Sequence, residues 1–207
     1  MSIIGRRVRP ILSYVYRYAG MLEHSTRECE TALALDPGDM QFRSCAWAFM
    51  ELGNTKRAAD FAHLNAGSEW ATYILPYILL REGKIPEAKQ AVLNMPTPPR
   101  YHRQVLEACL DLRLASDLER AAYQAETDQV AEPDPEALYQ QGTILGYCGK
   151  RTAAFHLLQR AIKQNYCAYS ALQNDPLLAN LRGSSEFKNL VSAAKECQDR
   201  LPLRSAL

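Results

Sequence analysis

The sequence predicts an all-α fold in which helical hairpins stack into an array. The first observation is the stretch 135–165, where two one-sided helical patterns flank a turn at Gly149. The second is that similar turn positions recur at separations of 33, 30, 33 and 33 residues, a period typical of helix-turn-helix solenoids. The third is that a small residue follows each turn at the same distance. The predicted turns are Gly20, Gly53, Gly83, Ser116 and Gly149.

The helices between these turns begin and end at recognisable residues. A helix over 26–35 stops at Asp36 and Pro37, and Pro86 suits the start of another, because the first helical turn has no amide partner to lose. The proline-rich run 95–99 cannot be helical and interrupts the array. The predicted helices are an N-terminal one, then 26–35, 41–52, 55–64, 71–81, 86–93, 101–114 and 117–130, and finally the pair in 135–165.

The stretch 135–165 is the clearest hairpin of the chain. Gly142 and Ala154 are small residues at the place where its two antiparallel helices would cross closely. One face of the hairpin would be buried within it, and a second face would need a neighbour. We therefore expect the hairpin to stand beside others of its kind.

The pattern changes after Tyr166. Ser184 or Ser185 precedes a last helix whose apolar residues fall on one face, as an N-cap does. The last repeat of an array needs such a cover for its apolar side. We therefore predict a hairpin array over 1–166 and a helical capping segment over 167–207.

The spacing of these residues resembles that of the tetratricopeptide repeat (TPR) family over about residues 6–166. The resemblance implies a right-handed helical-hairpin solenoid of about five repeats, which binds a peptide or protein segment on its concave face. The run 175–187 is similar to the closing segment of bacterial arrays attached to serine/threonine kinases or winged-helix regulators. The motif positions are Gly20, Ser25, Ala32 and Pro37; Ala46, Phe49, Gly53 and Ala58; Leu75, Gly83 and Ala88; and Gly142, Leu145, Gly149, Ala154 and Ala161.

Composition and charge argue against several classes of partner. The chain has 47% hydrophobic and 23% charged residues, as an ordinary folded protein does, and its net charge is +1. We therefore predict no nucleic-acid partner and no membrane partner, since both favour a strongly basic surface. No stretch approaches the roughly 20 apolar residues of a membrane span.

The predicted cellular location depends on the state of the six cysteines. None of them forms a C-x-x-C pair, and they are spread through helical patterns, where a free cysteine behaves as a small buried side chain. We expect them to be reduced, which favours a cytoplasmic setting. They are Cys29, Cys45, Cys109, Cys148, Cys167 and Cys197.

The sequence does not bring together groups for catalysis or metal binding. The four histidines stand one per region, with none in an H-x-x-x-H spacing or near a cysteine pair, so we predict no metal site and no cofactor. No nucleophile elbow or other catalytic signature occurs either. We predict that the chain is not an enzyme.

Binding of a peptide or protein partner is the function that remains. The first helix of each hairpin would line the concave surface. Aromatic and arginine residues, which dominate binding hot spots, fall on this stripe, and Glu136 stands there too. Such a groove suits a peptide of acidic or aromatic character. Aromatic residues there are more often core between repeats, and an arginine in a core would need a partner. The predicted peptide-binding residues are Tyr14, Arg17, Tyr18, Arg43, Trp47, Trp70, Tyr73, Tyr77, Arg81, Arg103, Arg113, Tyr139 and Tyr147.

The leading prediction is a non-catalytic protein-interaction scaffold that binds a peptide or protein segment on its concave face. The alternative is a regulatory or sensor tail of a bacterial serine/threonine kinase or transcription regulator, whose catalytic or DNA-binding domain would be encoded upstream. Self-association through unpaired terminal repeats is a third hypothesis. An in-frame upstream domain would favour the second hypothesis, and a monomer at high concentration would exclude the third.

Overall fold

A computed structural model describes residues 3–38, 42–64, 68–95, 100–127 and 129–201 of the chain. Within these ranges, the side chains of residues 3–7, 43, 69, 70 and 100–102 are not described. The described part contains helices and no strand, so the prediction of an all-α fold is confirmed. None of its helices is long and apolar enough to cross a bilayer. The helices are α1 (Ile3–Tyr18), α2 (Leu22–Leu35), α3 (Arg43–Glu51), α4 (Thr55–Leu64), α5 (Glu69–Arg81), α6 (Ile85–Leu93), α7 (Arg100–Cys109), α8 (Ala115–Glu126), α9 (Pro135–Tyr147), α10 (Arg151–Lys163), α11 (Tyr169–Asn174), the 3₁₀ helix η1 (Pro176–Leu181) and α12 (Ser185–Asp199).

The helices pair into hairpins along the chain. Helix α1 packs on α2, α3 on α4, α5 on α6, α7 on α8 and α9 on α10. The first helices of neighbouring hairpins also touch, in the contacts α1–α3, α3–α5 and α7–α9. This side-by-side order agrees with the spacing of turns in the sequence, and the finer assignment to a tetratricopeptide solenoid stays a prediction.

The turns follow the predicted positions with one exception. The predicted turn at Ser116 is wrong, because the chain already turns at Asp111, with a φ of +57°, and α8 begins at Ala115. Aspartate tolerates this left-handed conformation better than most residues, so it can stand where glycine was expected. The predicted helix 101–114 is too long for the same reason. The turns confirmed by a positive φ are those at Gly20, Gly53, Gly83 and Gly149.

Helix α9 is buried along almost its whole length. Residues 138–146 are all buried, because α7, α10 and η1 pack around them. The predicted close crossing at Gly142 is confirmed: a Cβ atom there would lie 2.8 Å from Cγ of Leu158 in α10. A Cβ atom at Gly146 would lie 2.9 Å from Cδ1 of Leu181 in η1. Both glycines are therefore required by close packing.

Helices α11, η1 and α12 form the C-terminal segment. Helix η1 packs on α9 and α5, α12 packs on α10 and α11, and α11 also touches α3. The last helix begins as predicted, because the hydroxyl of Ser184 accepts a hydrogen bond from the backbone N–H of Phe187 at 3.1 Å. Leu177, Leu178 and Leu181 are buried, so η1 fills space between the hairpins as well as covering the last one.

The C-terminal segment also returns to the first hairpin. The backbone N–H of Cys167 donates to the carbonyl oxygen of Tyr18 at 2.8 Å, and Nε2 of Gln198 donates to the carbonyl oxygen of Gly20 at 2.8 Å. Gly20 has a φ of +71°, and a Cβ atom there would lie 1.8 Å from the carbonyl oxygen of Cys167, so only glycine fits. The first hairpin thus touches the last elements of the chain, and the helices form a closed arrangement.

The six cysteines are paired in the structure, so the prediction that they are reduced is wrong. That prediction rested on the lack of close cysteine pairs in the sequence, whereas the fold brings together cysteines from different helices. The cytoplasmic setting stays a prediction, and its premise of reduced thiols no longer holds. The disulfides are Cys29–Cys45, Cys109–Cys148 and Cys167–Cys197, with Cα–Cα separations of 5.5, 5.6 and 5.3 Å.

We expect the three disulfides to react with a dithiol reductant in a definite order. Cys109 and Cys148 are each partly exposed, whereas the four cysteines of the other two pairs are buried. The Cys109–Cys148 bond should open first under native conditions, because thiol–disulfide exchange needs access to a sulfur atom. Alkylation of the freed thiols followed by peptide mass spectrometry measures the order. Earlier opening of a buried pair, or alkylation of any cysteine before reduction, would contradict this expectation.

Candidate interaction surface

A buried ionic network joins the first hairpin to the last. Nε and Nη2 of Arg17 in α1 donate to the two carboxylate oxygens of Glu136 in α9, at 2.5 and 2.9 Å. Nη1 of the same arginine donates to the carbonyl oxygen of Ser44 at 2.6 Å. Burial alone would lower the pKa of Arg17, but the charge and hydrogen bonds of Glu136, together with the charges of Tyr166 and Glu51, raise it. This bidentate geometry is the strong form of an arginine–carboxylate pair.

Glu51 in α3 lies next to this pair. The hydroxyl of Tyr166 donates to Oε1 of Glu51 at 2.5 Å and lies 3.4 Å from Oε1 of Glu136. Nε2 of Gln140 also donates to Oε1 of Glu51, at 2.8 Å. Burial, and then the charge of Glu136, raises the pKa of Glu51 to about 8. Glu51 is therefore mainly protonated at neutral pH.

Arg81 in α5 forms the other half of the network. Its Nη2 donates to Oδ2 of Asp175 at 2.6 Å and to Oε1 of Gln140 at 3.2 Å, so Gln140 connects the two halves. The hydroxyl of Tyr139 donates to Oδ2 of Asp175 at 3.5 Å. The side chains of Arg81 and Asp175 are each 2% exposed. With Glu51 protonated, two guanidinium groups face two carboxylates, and the interior charges balance.

Four of the predicted peptide-binding residues lie in this interior. Arg17, Arg81 and Tyr139 belong to the network, and Tyr77 packs edge-on against Trp47 with ring centroids 5.3 Å apart. All four side chains are buried. The inner stripe is therefore core at these positions, which is the alternative that the sequence left open. A partner could reach them only if the first and last hairpins separated, and their peptide-binding role stays a prediction.

The aromatic pair Tyr14 and Tyr18 lies at the C-terminal end of α1. Their ring centroids are 4.2 Å apart, and the guanidinium carbon of Arg17 lies 5.2 Å from the Tyr14 ring centroid. The hydroxyl of Tyr18 donates to Oδ1 of Asp134 at 2.6 Å, whereas Tyr14 is 42% exposed. Of this pair, Tyr14 therefore offers surface to a partner. The predicted residues that are partly exposed are Tyr18, Trp47, Tyr73 and Tyr147.

Arg103 and Arg113 form a separate cluster around Glu107. Nε of Arg103 donates to Oε1 of Glu107 at 2.7 Å, and Nε of Arg113 donates to the other carboxylate oxygen. Burial alone would raise the pKa of Glu107, but hydrogen bonds from the two arginines lower it. This cluster binds the turn after α7 to that helix. The side chains of the two remaining predicted residues, Arg43 and Trp70, lie outside the described residues.

Sequence reasoning missed Glu51, Gln140, Tyr166 and Asp175. The arginines on the concave stripe were the available indication of a buried ionic network, because each buried guanidinium requires a carboxylate. Their partners could not be named, since they lie 119 and 94 residues away along the chain. Local spacing carries no information about contacts of that range.

Helix α1 is amphipathic, with its polar side turned inward. Arg17 faces α9, and the hydroxyl of Ser13 lies 3.0 Å from that of Ser25 in α2. The opposite side is apolar and exposed, and we call it the outer face of α1. Its four residues are half of the exposed large hydrophobic residues in the described part of the chain. They are Val8, Ile11, Tyr14 and Val15, with exposed fractions of 38%, 57%, 42% and 39%.

Two surface clefts lie elsewhere, and neither assembles groups for a reaction. A cleft of about 530 Å³ lies between the first hairpin and the C-terminal segment, and its walls include His24 and Tyr169. A cleft of about 360 Å³ over α10 has His156 and Glu186 in its walls. Among the described residues, no three histidine, cysteine or acidic side chains are arranged to hold a metal ion. The outer face of α1 is therefore the strongest candidate surface.

Comparison with known proteins finds no match, whether among protein families, curated proteins or solved structures. The resemblance to tetratricopeptide repeats stays a prediction from the spacing of residues.

The pair Arg17–Glu136 predicts a large difference between single and double substitutions. Arg17→Met leaves the carboxylate of Glu136 buried without its guanidinium, which typically costs about 3–5 kcal/mol of unfolding free energy. Adding Glu136→Leu removes the stranded charge, so the double variant should be more stable than Arg17→Met alone. Urea unfolding followed by circular dichroism measures both. A double variant as unstable as the sum of its single changes would contradict the pairing.

Glu51 predicts a pH dependence of stability. Burial raises its pKa from 4.5 to about 8, so the folded protein retains a proton that the unfolded chain releases between these values. Its contribution to stability is complete below about pH 4.5, falls as the pH rises toward 8, and stays low above that. Glu51→Gln keeps a neutral side chain of the same shape. The variant should therefore gain stability relative to wild type between about pH 5 and about pH 9.

Urea unfolding midpoints at these two pH values measure the effect. Glu87→Gln removes an exposed carboxylate and serves as the matched control, which should follow the wild type at both pH values. An identical pH dependence in wild type and Glu51→Gln would mean that Glu51 is ionised in the folded protein, and the expectation would fail.

Proposed function

We propose that the protein is a non-catalytic protein-interaction scaffold of tetratricopeptide-type hairpins, and that it binds through the outer face of α1. The observation that carries this proposal is the orientation of α1, whose polar side is bound in the interior while its apolar side meets solvent. A surface helix ordinarily turns its apolar side toward the core. An exposed apolar face is typical of a surface that a partner covers.

The proposal keeps the scaffold function predicted from the sequence and changes the binding surface. The concave stripe was the expected surface, but Arg17, Arg81 and Tyr139 make the internal contacts that hold the hairpins together. Tyr14 belongs both to the predicted stripe and to the outer face of α1, and it is exposed. Binding at α1 would leave the ionic interior undisturbed.

The hydrogen bonds of the buried ionisable groups support a non-catalytic role. Glu51, Glu136 and Asp175 each accept hydrogen bonds from buried arginine, tyrosine or glutamine side chains. A catalytic acid or base must come within hydrogen-bond reach of a substrate. These three acidic side chains are enclosed by side chains of the same chain, and their contacts are those of a structural network.

The prediction of a regulatory or sensor tail from a bacterial kinase or transcription regulator is a second proposal. An attached upstream domain would need a surface on this chain, and the outer face of α1 lies on the first helix. The outer face of α1 would then bind a domain of the same polypeptide instead of a separate protein. Reading the coding sequence upstream of Met1 separates the two proposals.

Ile11→Glu tests the proposed surface. Ile11 is 57% exposed, so the new charge should leave the fold intact and should abolish binding at an apolar interface. Immobilised wild type and variant would be compared for the proteins they capture from a native cell extract, with quantitative mass spectrometry as the readout. We expect proteins that the wild type retains to be lost with Ile11→Glu.

Leu114→Glu is the matched control, since Leu114 is 73% exposed and lies outside α1. Circular dichroism and thermal unfolding would verify that both variants remain folded. Capture of the same proteins by wild type and both variants would show that the outer face of α1 is not the binding surface.

A further inference from the structure

We infer that the disulfide Cys109–Cys148 is a redox-sensitive link that holds the fourth hairpin in place, and that its reduction releases this hairpin from its neighbours. The fourth hairpin consists of α7 and α8. The inference goes beyond the proposed function, because it concerns neither the outer face of α1 nor the partner of that face. It is carried by the position and accessibility of the disulfide and by the membership of the buried ionic network.

The disulfide joins the ends of two helices that belong to different hairpins. Cys109 is the last residue of α7, and Cys148 ends α9 directly before the turn at Gly149. The two Cα atoms are 5.6 Å apart, and Sγ of Cys109 lies 3.8 Å from the carbonyl oxygen of Ile144 in α9. The bond therefore attaches the fourth hairpin covalently to the hairpin of α9 and α10.

The buried ionic network is built without the fourth hairpin. The side chains described above for this network belong to α1, α3, α5 and α9, or to the chain between α10 and η1. Gln140 of α9 accepts a hydrogen bond from Arg81 of α5, so the third hairpin meets the last one directly. The polar centre of the protein can therefore stay intact when α7 and α8 move.

An exposed ion pair also connects the fourth hairpin to the last one. Nζ of Lys150 donates to Oε1 of Glu119 in α8, and the side chain of Glu119 is 68% exposed. Ion pairs in such exposed positions contribute little to stability, because water and salt screen them. The disulfide is therefore the stronger of these two links between the hairpins.

Apolar packing supplies further contact between these hairpins. Helix α8 packs on α10, and its buried residues are Ala121, Ala122 and Ala125. An alanine removes less apolar area from water than a leucine or a phenylalanine, so α8 contributes little hydrophobic stabilisation. Helix α7, which packs on α9, contributes larger buried residues such as Leu106. Separation of the hairpins would expose this apolar area to solvent.

The disulfide is accessible to a dithiol reductant. Cys109 and Cys148 are both partly exposed, whereas the four cysteines of the other two pairs are at most 1% exposed. A thiolate of the reductant attacks one sulfur atom, a mixed disulfide forms, and the other cysteine leaves as a thiolate. The second thiol of the reductant then displaces the first cysteine. Two electrons and two protons pass to the cysteine pair, and the reductant leaves as a disulfide.

Hydrogen exchange of the oxidised and the selectively reduced chain tests the release. Brief treatment with dithiothreitol should reduce only Cys109–Cys148, which alkylation and peptide mass spectrometry verify. Amides of α7 and α8 should then exchange at least about tenfold faster, because a disulfide typically stabilises by more than a tenfold step in an equilibrium constant. Amides of α3 and α12 should be unchanged. Unchanged exchange in α7 and α8, or an equal increase in every helix, would overturn the inference.

The double variant Cys109→Ser with Cys148→Ser is the matched control. Serine is close to cysteine in size and cannot form the bond, so α7 and α8 should exchange fast without any reductant. Brief dithiothreitol treatment should change the exchange of the wild type and leave that of the variant as it is. A variant that exchanges as slowly as the oxidised wild type would refute the link. The reduced wild type gives the same test without a substitution, so the result does not depend on folding of the variant.

Reoxidation tests whether the release is reversible. Oxidised glutathione, added to the reduced and unalkylated protein, should re-form Cys109–Cys148 and return the amides of α7 and α8 to slow exchange. The dye anilinonaphthalene sulfonate, which binds exposed apolar surface, should gain fluorescence on reduction and lose it on reoxidation. Exchange that stays fast after the native disulfide has re-formed would show that the bond does not control the position of the hairpin.

Discussion

The closed arrangement of the helices depends on the buried pair formed by Arg17 and Glu136. Taking an ion out of water costs several kcal/mol, so neither group is acceptable in the interior without the other. The pair forms only if α1 lies against α9, and the bond from Arg17 to the carbonyl oxygen of Ser44 places α3 beside them. Arg81 and Asp175 impose the same condition between α5 and the segment before η1. Because each buried charge needs its partner, these two ion pairs hold together helices that are far apart in the sequence.

The same constraint explains why α1 exposes its apolar side. The centre of the protein is polar, since it contains guanidinium, carboxylate and phenol groups that hydrogen-bond to one another. A helix that contributes Arg17 to this centre must turn its polar side inward, and its apolar residues then meet solvent. The outer face of α1 is therefore a consequence of the ionic interior. The residues of this one helix therefore determine both its polar contacts in the interior and its apolar surface.

Local features of the fold were predictable, and long-range ones were not. The helix over 55–64, the turn at Gly149 and the cap at Ser184 follow from periodicity and turn chemistry, which act within a few residues. The carboxylate that meets Arg17 and the partner of each cysteine depend on helices packed far along the chain. Periodicity also shows which residues share a face of α1, but not whether that face points inward. Tyr14 was therefore predicted on the same stripe as Arg17, although Arg17 is buried and Tyr14 is exposed.

The contact between Gly20 and Gln198 has a consequence for biosynthesis. Its partners are 178 residues apart, whereas hairpin arrays ordinarily assemble through contacts between neighbours and can begin to do so while the ribosome is still at work. In this chain, Arg17 leaves the ribosome long before Glu136 has been made. The nascent first hairpin must wait with its guanidinium in water until Glu136 has been translated. Its last contact then forms only after residue 198 has been added.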